Sequence, residues 1–310
     1  MTMGTVPHRT VRWGVLGNAT IARKCVIPAM HRSDNGRVRA LATRTPEKAA
    51  KLVQECHIER LYDNYEAVLA DSDVDAVYIP LPNHLHHIWC LKALRAGKHV
   101  LCEKPLACSA VQAREMTSIA ANTGRLMMEA FMYRFHPRSR QIRQLIREGK
   151  IGPPVLIRSS FCYAMQEETL RRGDDFRLRP QTGGGALLDV GCYGVSVARW
   201  LYNEEPVSVQ AQAIYSPEGV DIHFVGLLRF PGKGLATVEA SFISALQQTY
   251  SVIGSDGAVE LPHDAFIPWE KDALYTVRGP EQEQGTVHVV PGADEYRLMV
   301  EHFSRAVRQE

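Results

Sequence analysis

The chain has 310 residues, 45% hydrophobic and 23% charged, with 36 lysines and arginines against 34 acids and a formal net charge of +2. That length exceeds a usual single domain and points to two, and the near-even charge excludes both a disordered chain and a generally polybasic, nucleic-acid-attracting surface. The seven cysteines are scattered and include no Cys-x-x-Cys pair, which fits reduced, buried thiols and a cytoplasmic protein. The opening MTMGTVPHRT lacks a signal-peptide apolar core, and no run of about 18 apolar residues offers a membrane span.

In chain order, VRWGVLG, VRALATR, VDAVYIP, KHVLCEKP and RLMMEAF read as strands, separated by helical patterns such as residues 20–31 and 85–96. Short apolar runs alternating with helices are the βαβ signature, and near-continuous apolarity marks strands buried on both faces of a parallel sheet. Gly97 and Gly124 stand where helix C-terminal glycines belong, each before a strand. We therefore expect a doubly wound α/β domain over residues 1–133.

A second α/β domain is expected over residues 134–310. It begins with a helix (137–148), the turn GKIGPP, a strand (155–161) and the charged loop EETLRRGDDFRLR, residues 167–179. After Gly183-Gly184-Gly185, a helix (186–201) leads into strands at 207–215, 222–230, 235–242 and 249–253, with reversals at Pro231-Gly232 and Asp256-Gly257. Strand following strand implies a large, open, mainly antiparallel sheet. A last helix spans residues 294–308.

The first strand runs into Gly17-Asn18-Ala19-Thr20-Ile21-Ala22, at the place of a dinucleotide fingerprint but reading G-x-A-x-x-A. Alanine is still small enough for close approach to a pyrophosphate at a helix N-terminus. A small-residue turn with no ligand is the plain alternative, and the βαβ context favours binding. An NAD site normally places an acid after the second strand; here stands Thr43-Arg44-Thr45, with no acid before Glu47 and with Lys48 in the next turn. A guanidinium can pair with a 2′-phosphate and stack on adenine, so NADP (NADPH) is the preferred cofactor, with NAD as the other possibility.

Two further segments end at parallel-strand carboxyl ends, where open α/β sheets build sites: Pro82-Asn83-His84-Leu85-His86-His87 and Cys102-Glu103-Lys104-Pro105. A third is the stretch from Gly183 through Asp189 to Tyr193. In this order the motifs resemble the glucose-fructose oxidoreductase and inositol dehydrogenase (Gfo/Idh/MocA) family over nearly the whole chain. The resemblance implies an N-terminal Rossmann domain and a C-terminal domain whose open sheet makes the contact of a homodimer or homotetramer. It also implies hydride exchange between a nicotinamide and a carbon bearing hydroxyl or carbonyl on a sugar or polyol.

The resemblance makes Lys104 the active-site lysine, joined to Pro105 by a cis bond, and puts Tyr193 where the inositol dehydrogenase branch has histidine. Tyrosine there resembles the glucose-fructose oxidoreductase, dihydrodiol dehydrogenase and aldose dehydrogenase branch. A phenol of ordinary pKa about 10 needs a neighbouring cation to act as a base near neutrality, and Lys104 can supply it. Asp189 is expected near substrate hydroxyls or as an orienting acceptor, and Glu103, Pro82, Asn83 and His86 on the cofactor side. Arg134, Phe176 and Arg177 are candidate substrate residues.

No metal is expected, because the histidines at 84, 86 and 87 have no partner cluster at a recognised ligand spacing. No nucleic-acid or membrane partner is expected either. The expected substrate is a small molecule, a free aldose first, with trans-dihydrodiol dehydrogenase and ketosugar reductase activities as alternatives. A non-catalytic nucleotide-binding regulator and an NAD-dependent glycosidase are the readings from other classes. The chain ends at Glu310, directly after its last helix, where family members usually continue through another.

Overall fold

A computed structural model describes residues 10–282 and 284–309. The opening segment, expected to carry no leader, lies almost wholly outside the described residues. The chain forms two compact units: one contains the chain through Met132 and again from Asp294, the other spans Tyr133–Ala293.

The first unit is built on a six-stranded parallel sheet of order β3-β2-β1-β4-β5-β6. Its strands are β1 (Val11–Leu16), β2 (Gly36–Ala42), β3 (Arg60–Tyr62), β4 (Ala76–Ile79), β5 (His99–Cys102) and β6 (Met127–Glu129). Every residue of β4 and β5 is buried, which is why their sequences run apolar instead of alternating. The connecting helices are α1 (Ile27–Arg32, entered through a wide π turn at Ala22–Val26), α2 (Pro46–Glu55), α3 (Tyr65–Ala70), α4 (Asn83–Arg95) and α5 (Ala110–Thr123). Gly97 and Gly124 follow α4 and α5 at positive φ, as expected. The three-residue β3 was not anticipated, because its half-buried RLY carries no usable period.

The second unit contains α6 (Pro137–Arg147), β7 (Pro154–Ala164), α7 (Glu167–Arg172) and α8 (Cys192–Tyr202). There follow β8 (Ser208–Tyr215), β9 (Asp221–Arg229), β10 (Leu235–Ser241), β11 (Ile243–Gly254), β12 (Ala258–Leu261), β13 (Ala273–Arg278) and β14 (Thr286–Val290). They form an eight-stranded sheet of order β14-β13-β12-β11-β7-β10-β9-β8, antiparallel except for the parallel pair β7 and β10. Along β10, buried Ala236, Val238 and Ala240 face α8 and alternate with Thr237 and Glu239 on the open side. A Cβ on Gly194 would lie 2.5 Å from Ser159 Oγ and 2.8 Å from Val238 Cγ1, so α8 packs on β7 and β10 at a distance only glycine permits.

Two expectations are corrected. The charged segment after β7 is not one loop: it folds into α7, ended by Gly173 in the left-handed region, and a short 3-10 turn at Phe176–Leu178, with a second turn following at Pro180–Thr182. The last helix, α9 (Glu295–Arg308), lies in the first unit and not in the second. Its Phe303 ring lies 5.5 Å from that of fully buried Trp13 in β1, and the Trp13 indole N–H donates to Ser304 Oγ at 3.3 Å. Burying this apolar face outweighs proximity in the chain. Among the described residues, no helix is long and apolar enough to cross a membrane.

Phe303 is only 2% exposed, so Phe303→Ala should cost roughly 3–5 kcal/mol. The loss should appear as a lowered urea midpoint, and an unchanged midpoint would contradict the packing of α9 on β1.

Candidate active site

In the first unit, β1 ends in Gly17, whose N–H donates to Ala42 O at 2.8 Å and whose φ is +115°. A Cβ here would meet Leu81 Cδ2 at 2.9 Å, so both backbone and space demand glycine. Asn18 Nδ2 donates to Lys48 O at 3.3 Å, while its buried Oδ1 has no hydrogen-bond partner among the described residues. Ala19 accepts the Arg23 amide at 3.1 Å, Thr20 Oγ1 accepts from the Arg23 guanidinium at 3.3 Å, and Ile21 is half-buried. A left-handed glycine carrying the chain from strand to helix start, with an unmatched acceptor beside it that a ribose hydroxyl can satisfy, fits a dinucleotide bound against this turn.

At the end of β2, Thr43 is buried, and its Oγ1 accepts the Thr45 amide at 3.3 Å, shaping the turn. Arg44 and Lys48 are exposed. Burial pushes the Tyr65 phenol up, and the Arg44 charge pulls against it, so Tyr65 stands against this guanidinium. Tyr65 is itself held edge-on by Trp89, centroids 4.8 Å apart.

After β4, Pro82 precedes α4, which begins at Asn83. The family resemblance puts His86 on the cofactor side. It is fully buried, with Nδ1 at 2.8 Å from Pro105 O and Nε2 at 2.7 Å from Leu81 O, so both ring nitrogens tie the two loops together. Of its neighbours, His84 is exposed and His87 Nε2 lies 2.8 Å from Glu115. Among the described residues, no group of three or more His, Cys, Asp or Glu is placed to hold a metal ion.

The Lys104–Pro105 bond is cis, and Lys104 is half-buried just beyond β5. Glu103 is buried: its Oε1 accepts the Tyr78 hydroxyl at 2.6 Å and its Oε2 the Lys104 amide at 3.2 Å. Burial pushes the Glu103 carboxyl up, opposed by the Tyr78 hydrogen bond, the Lys104 charge and the Lys104 amide.

In the second unit, a π turn at Leu187–Gly191 leads into α8, and Asp189 and Tyr193 stand one turn apart. Asp221 of β9 accepts the Leu187 amide at 2.7 Å, steadying this helix start. Asp189 Oδ2 accepts the Tyr163 hydroxyl at 2.9 Å, and Arg177 Nε lies 3.3 Å away in an ion pair whose angle falls short of a directed hydrogen bond. Arg177 also pairs with Asp175 at 3.2 Å and lies 4.5 Å above the centre of the Phe176 ring. Burial, then the Asp189 charge, pushes Tyr163 far up, so it stays a phenol and donates.

Tyr193 is 4% exposed, with its ring 5.3 Å from Phe161, 5.3 Å from Phe266 and 5.9 Å from Tyr133. Arg134 donates to Ser196 Oγ at 2.6 Å, so this expected substrate residue also braces α8. The fold thus brings Asp189, Arg177 and Phe176 together, and adds Tyr163 and Asp175. The sequence did hold a signal for Tyr163, since residues 161 and 163 share one face of β7. Tyr65 and Tyr78 gave none, each reading as an ordinary core aromatic.

Residues 11–131 match the oxidoreductase family with an NAD-binding Rossmann fold, and residues 139–260 match the GFO/IDH/MocA C-terminal domain. The chain is 38% identical over 296 residues to D-xylose 1-dehydrogenase (NADP(+)) 2 of Haloferax volcanii, covering 95% of this chain and 88% of that protein. It is 32% identical over 263 residues to trans-1,2-dihydrobenzene-1,2-diol dehydrogenase of Xenopus tropicalis, covering 83% and 77%. Among solved structures, a 3-ketoreductase from Actinomadura kijaniata in complex with NADP and TDP-benzene superposes with a TM-score of 0.86 at 31% identity, covering 96% of this chain and 90% of that one. With matches across both units and this degree of identity, the chain belongs to the Gfo/Idh/MocA family and is an oxidoreductase.

Proposed function

We propose that this oxidoreductase uses NADP and acts on a sugar or a related polyhydroxy or carbonyl compound, with Tyr193 moving the proton and Lys104 tuning it. The observation that carries this reading is the polar array of Asp189, Tyr163 and Arg177, one helical turn from a tyrosine set among aromatic rings. Such an array suits a substrate with several hydroxyls and one apolar face.

When bound, the dinucleotide supplies hydride transfer at its nicotinamide ring. The backbone N–H groups of the Gly17-Asn18 turn receive its phosphates, with Ala19, Thr20 and Ile21 opening the helix behind them. Arg44, with Tyr65 against it, and Lys48 meet the 2′-phosphate. Pro82, Asn83, Glu103 and Lys104 shape the nicotinamide side, with His86 as a buried tie. In oxidation, the Tyr193 phenolate takes the proton from the substrate hydroxyl oxygen; in reduction, the phenol returns it to the developing alkoxide. The Lys104 ammonium favours the phenolate. Asp189 and Arg177 orient neighbouring hydroxyls, and Phe176 closes an apolar side.

An aldose dehydrogenase is the first reading, in line with the xylose dehydrogenase relative. Oxidation of trans-dihydrodiols is the second, favoured by the aromatic wall of Phe161, Phe266 and Tyr133 around Tyr193. A homo-oligomer is proposed through the open face of the eight-stranded sheet, where Ile214, Val225 and Leu227 are 55%, 41% and 39% exposed.

The deciding experiment follows NADP and NAD reduction against aldoses, polyols and dihydrodiols, and NADPH oxidation against ketosugars. With an accepted substrate, Tyr193→Phe should lower kcat by about 100-fold or more while NADPH binding is retained, and wild-type turnover would remove the proposed proton carrier. Arg44→Ala should raise the KM for NADP by roughly 10- to 100-fold, the loss of about 1.5–3 kcal/mol from a charged hydrogen bond, with little change for NAD. Light scattering on Leu227→Lys should show a smaller assembly than the wild type; identical masses would move the subunit contact elsewhere.

A further inference from the structure

The Glu103 side chain links Lys104 to the sheet. Tyr78 in β4 pairs with Leu101 in β5, and the Glu103 amide donates to Ile79 O at 3.1 Å, so parallel pairing sets Glu103 close beside Tyr78. The carboxyl then bridges two donors, the Tyr78 hydroxyl at 2.6 Å and the Lys104 amide at 3.2 Å. A hydroxyl in an otherwise apolar strand has one clear effect here, which is to orient that carboxyl. We propose that Tyr78 is a positioning residue for Lys104, acting through Glu103, whose carboxyl holds the turn and faces the lysine charge. This rests on the role given to Lys104 above.

The surroundings make the link electrostatic as well as geometric. Glu103 faces Tyr78 from β4, Lys104 and Cys102 from its own strand and turn, Cys25 from the π turn, and Tyr296 from α9. Burial pushes Cys25, Cys102, Tyr78 and Tyr296 upward, so these groups stay neutral at ordinary pH. Cys25 and Tyr296 lie near each other, with Glu295 acting on both. Lys104 also faces His86, which burial pushes down, so that ring stays neutral too. Two carboxyls thus carry charge at this turn, Glu103 and Glu129 of β6, whose Oε1 accepts the Leu106 amide at 2.8 Å, and the Tyr78 hydrogen bond holds the first of them in place. The sign follows. Removing that bond leaves the carboxyl free to turn away from the Lys104 amide; a carboxyl remains an anion where lysines titrate, so this displacement, and not neutralisation, weakens its pull and lets the ammonium lose its proton at lower pH.

The test needs no turnover. In the full chain without nucleotide, the pH midpoint of Lys104 acetylation by acetic anhydride is read by mass spectrometry, with Lys48 and Lys51 as internal controls. Tyr78→Phe should lower the Lys104 midpoint by roughly one pH unit and leave the controls in place. Glu103→Gln, which retains an acceptor but removes the charge, should lower it in the same direction. If Tyr78→Phe does not fold, Glu103→Gln decides, because Tyr78 is proposed to act only through that carboxyl. An unmoved Lys104 midpoint overturns the proposal in either variant. If the wild type turns over no sugar or diol, the functional reading fails, while the labelling still judges Tyr78. Where turnover is found, the alkaline limb of kcat should shift to lower pH in Tyr78→Phe with little change in substrate KM, a pattern that simple destabilisation does not produce.

Discussion

In the first unit, β1 pairs with both β2 and β4, and β4 with β5, all in parallel. Gly17, Thr43, Pro82 and Glu103 therefore leave the sheet along one edge, although they are spread over nearly ninety positions of the chain. Backbone hydrogen bonds between buried strands have no competing solvent, so this register is hard to disturb, and each loop begins from a fixed point. The Gly17 turn, the placing of Arg44 and the Glu103 bridge all depend on it. His86 adds a cross-tie from α4, joining the Leu81 and Pro105 carbonyls.

The second unit reaches similar precision by packing. Gly194 lets α8 settle on β7 and β10, Asp221 holds the start of that helix, and Arg134 grips it at Ser196. Asp189 and Tyr193 are consequently held by a helix start braced at several points, which suits the proton transfer proposed for Tyr193, where small displacements cost large factors in rate. Tyr163 and Arg177 share one oxygen of the Asp189 carboxylate, which limits its rotation.

The ionisable groups at these sites lie in graded surroundings. Asp189 has the partly buried Arg177 beside it, and Glu103 is buried against a phenol and a backbone amide. In low dielectric, a carboxyl of this kind responds strongly to the loss of one donor. A single hydroxyl, that of Tyr78, can therefore bear on Lys104 through the Glu103 carboxyl, as proposed above.

The sequence by itself determined the class of each half, because buried parallel strands and alternating antiparallel strands leave different apolar patterns. It also determined the motif positions at strand ends, from Gly17 to Glu103, since a βαβ chain has few places where polar residues can interrupt buried runs. Tertiary structure decided where α9 belongs: residues 294–308 read as an amphipathic helix at the end of the second half, and only Trp13 and Phe303 show which core that helix completes. It also decided the partners of side chains that local pattern leaves open. Tyr78, Tyr65 and Tyr163 look alike as aromatic strand or helix residues, and His86 like a loop ligand. The hydrogen bonds of Tyr78, Tyr163 and His86 run to Glu103, Asp189 and two carbonyls, and Tyr65 meets the Arg44 charge, set by folding that brings positions as far apart as 163 and 189 within reach.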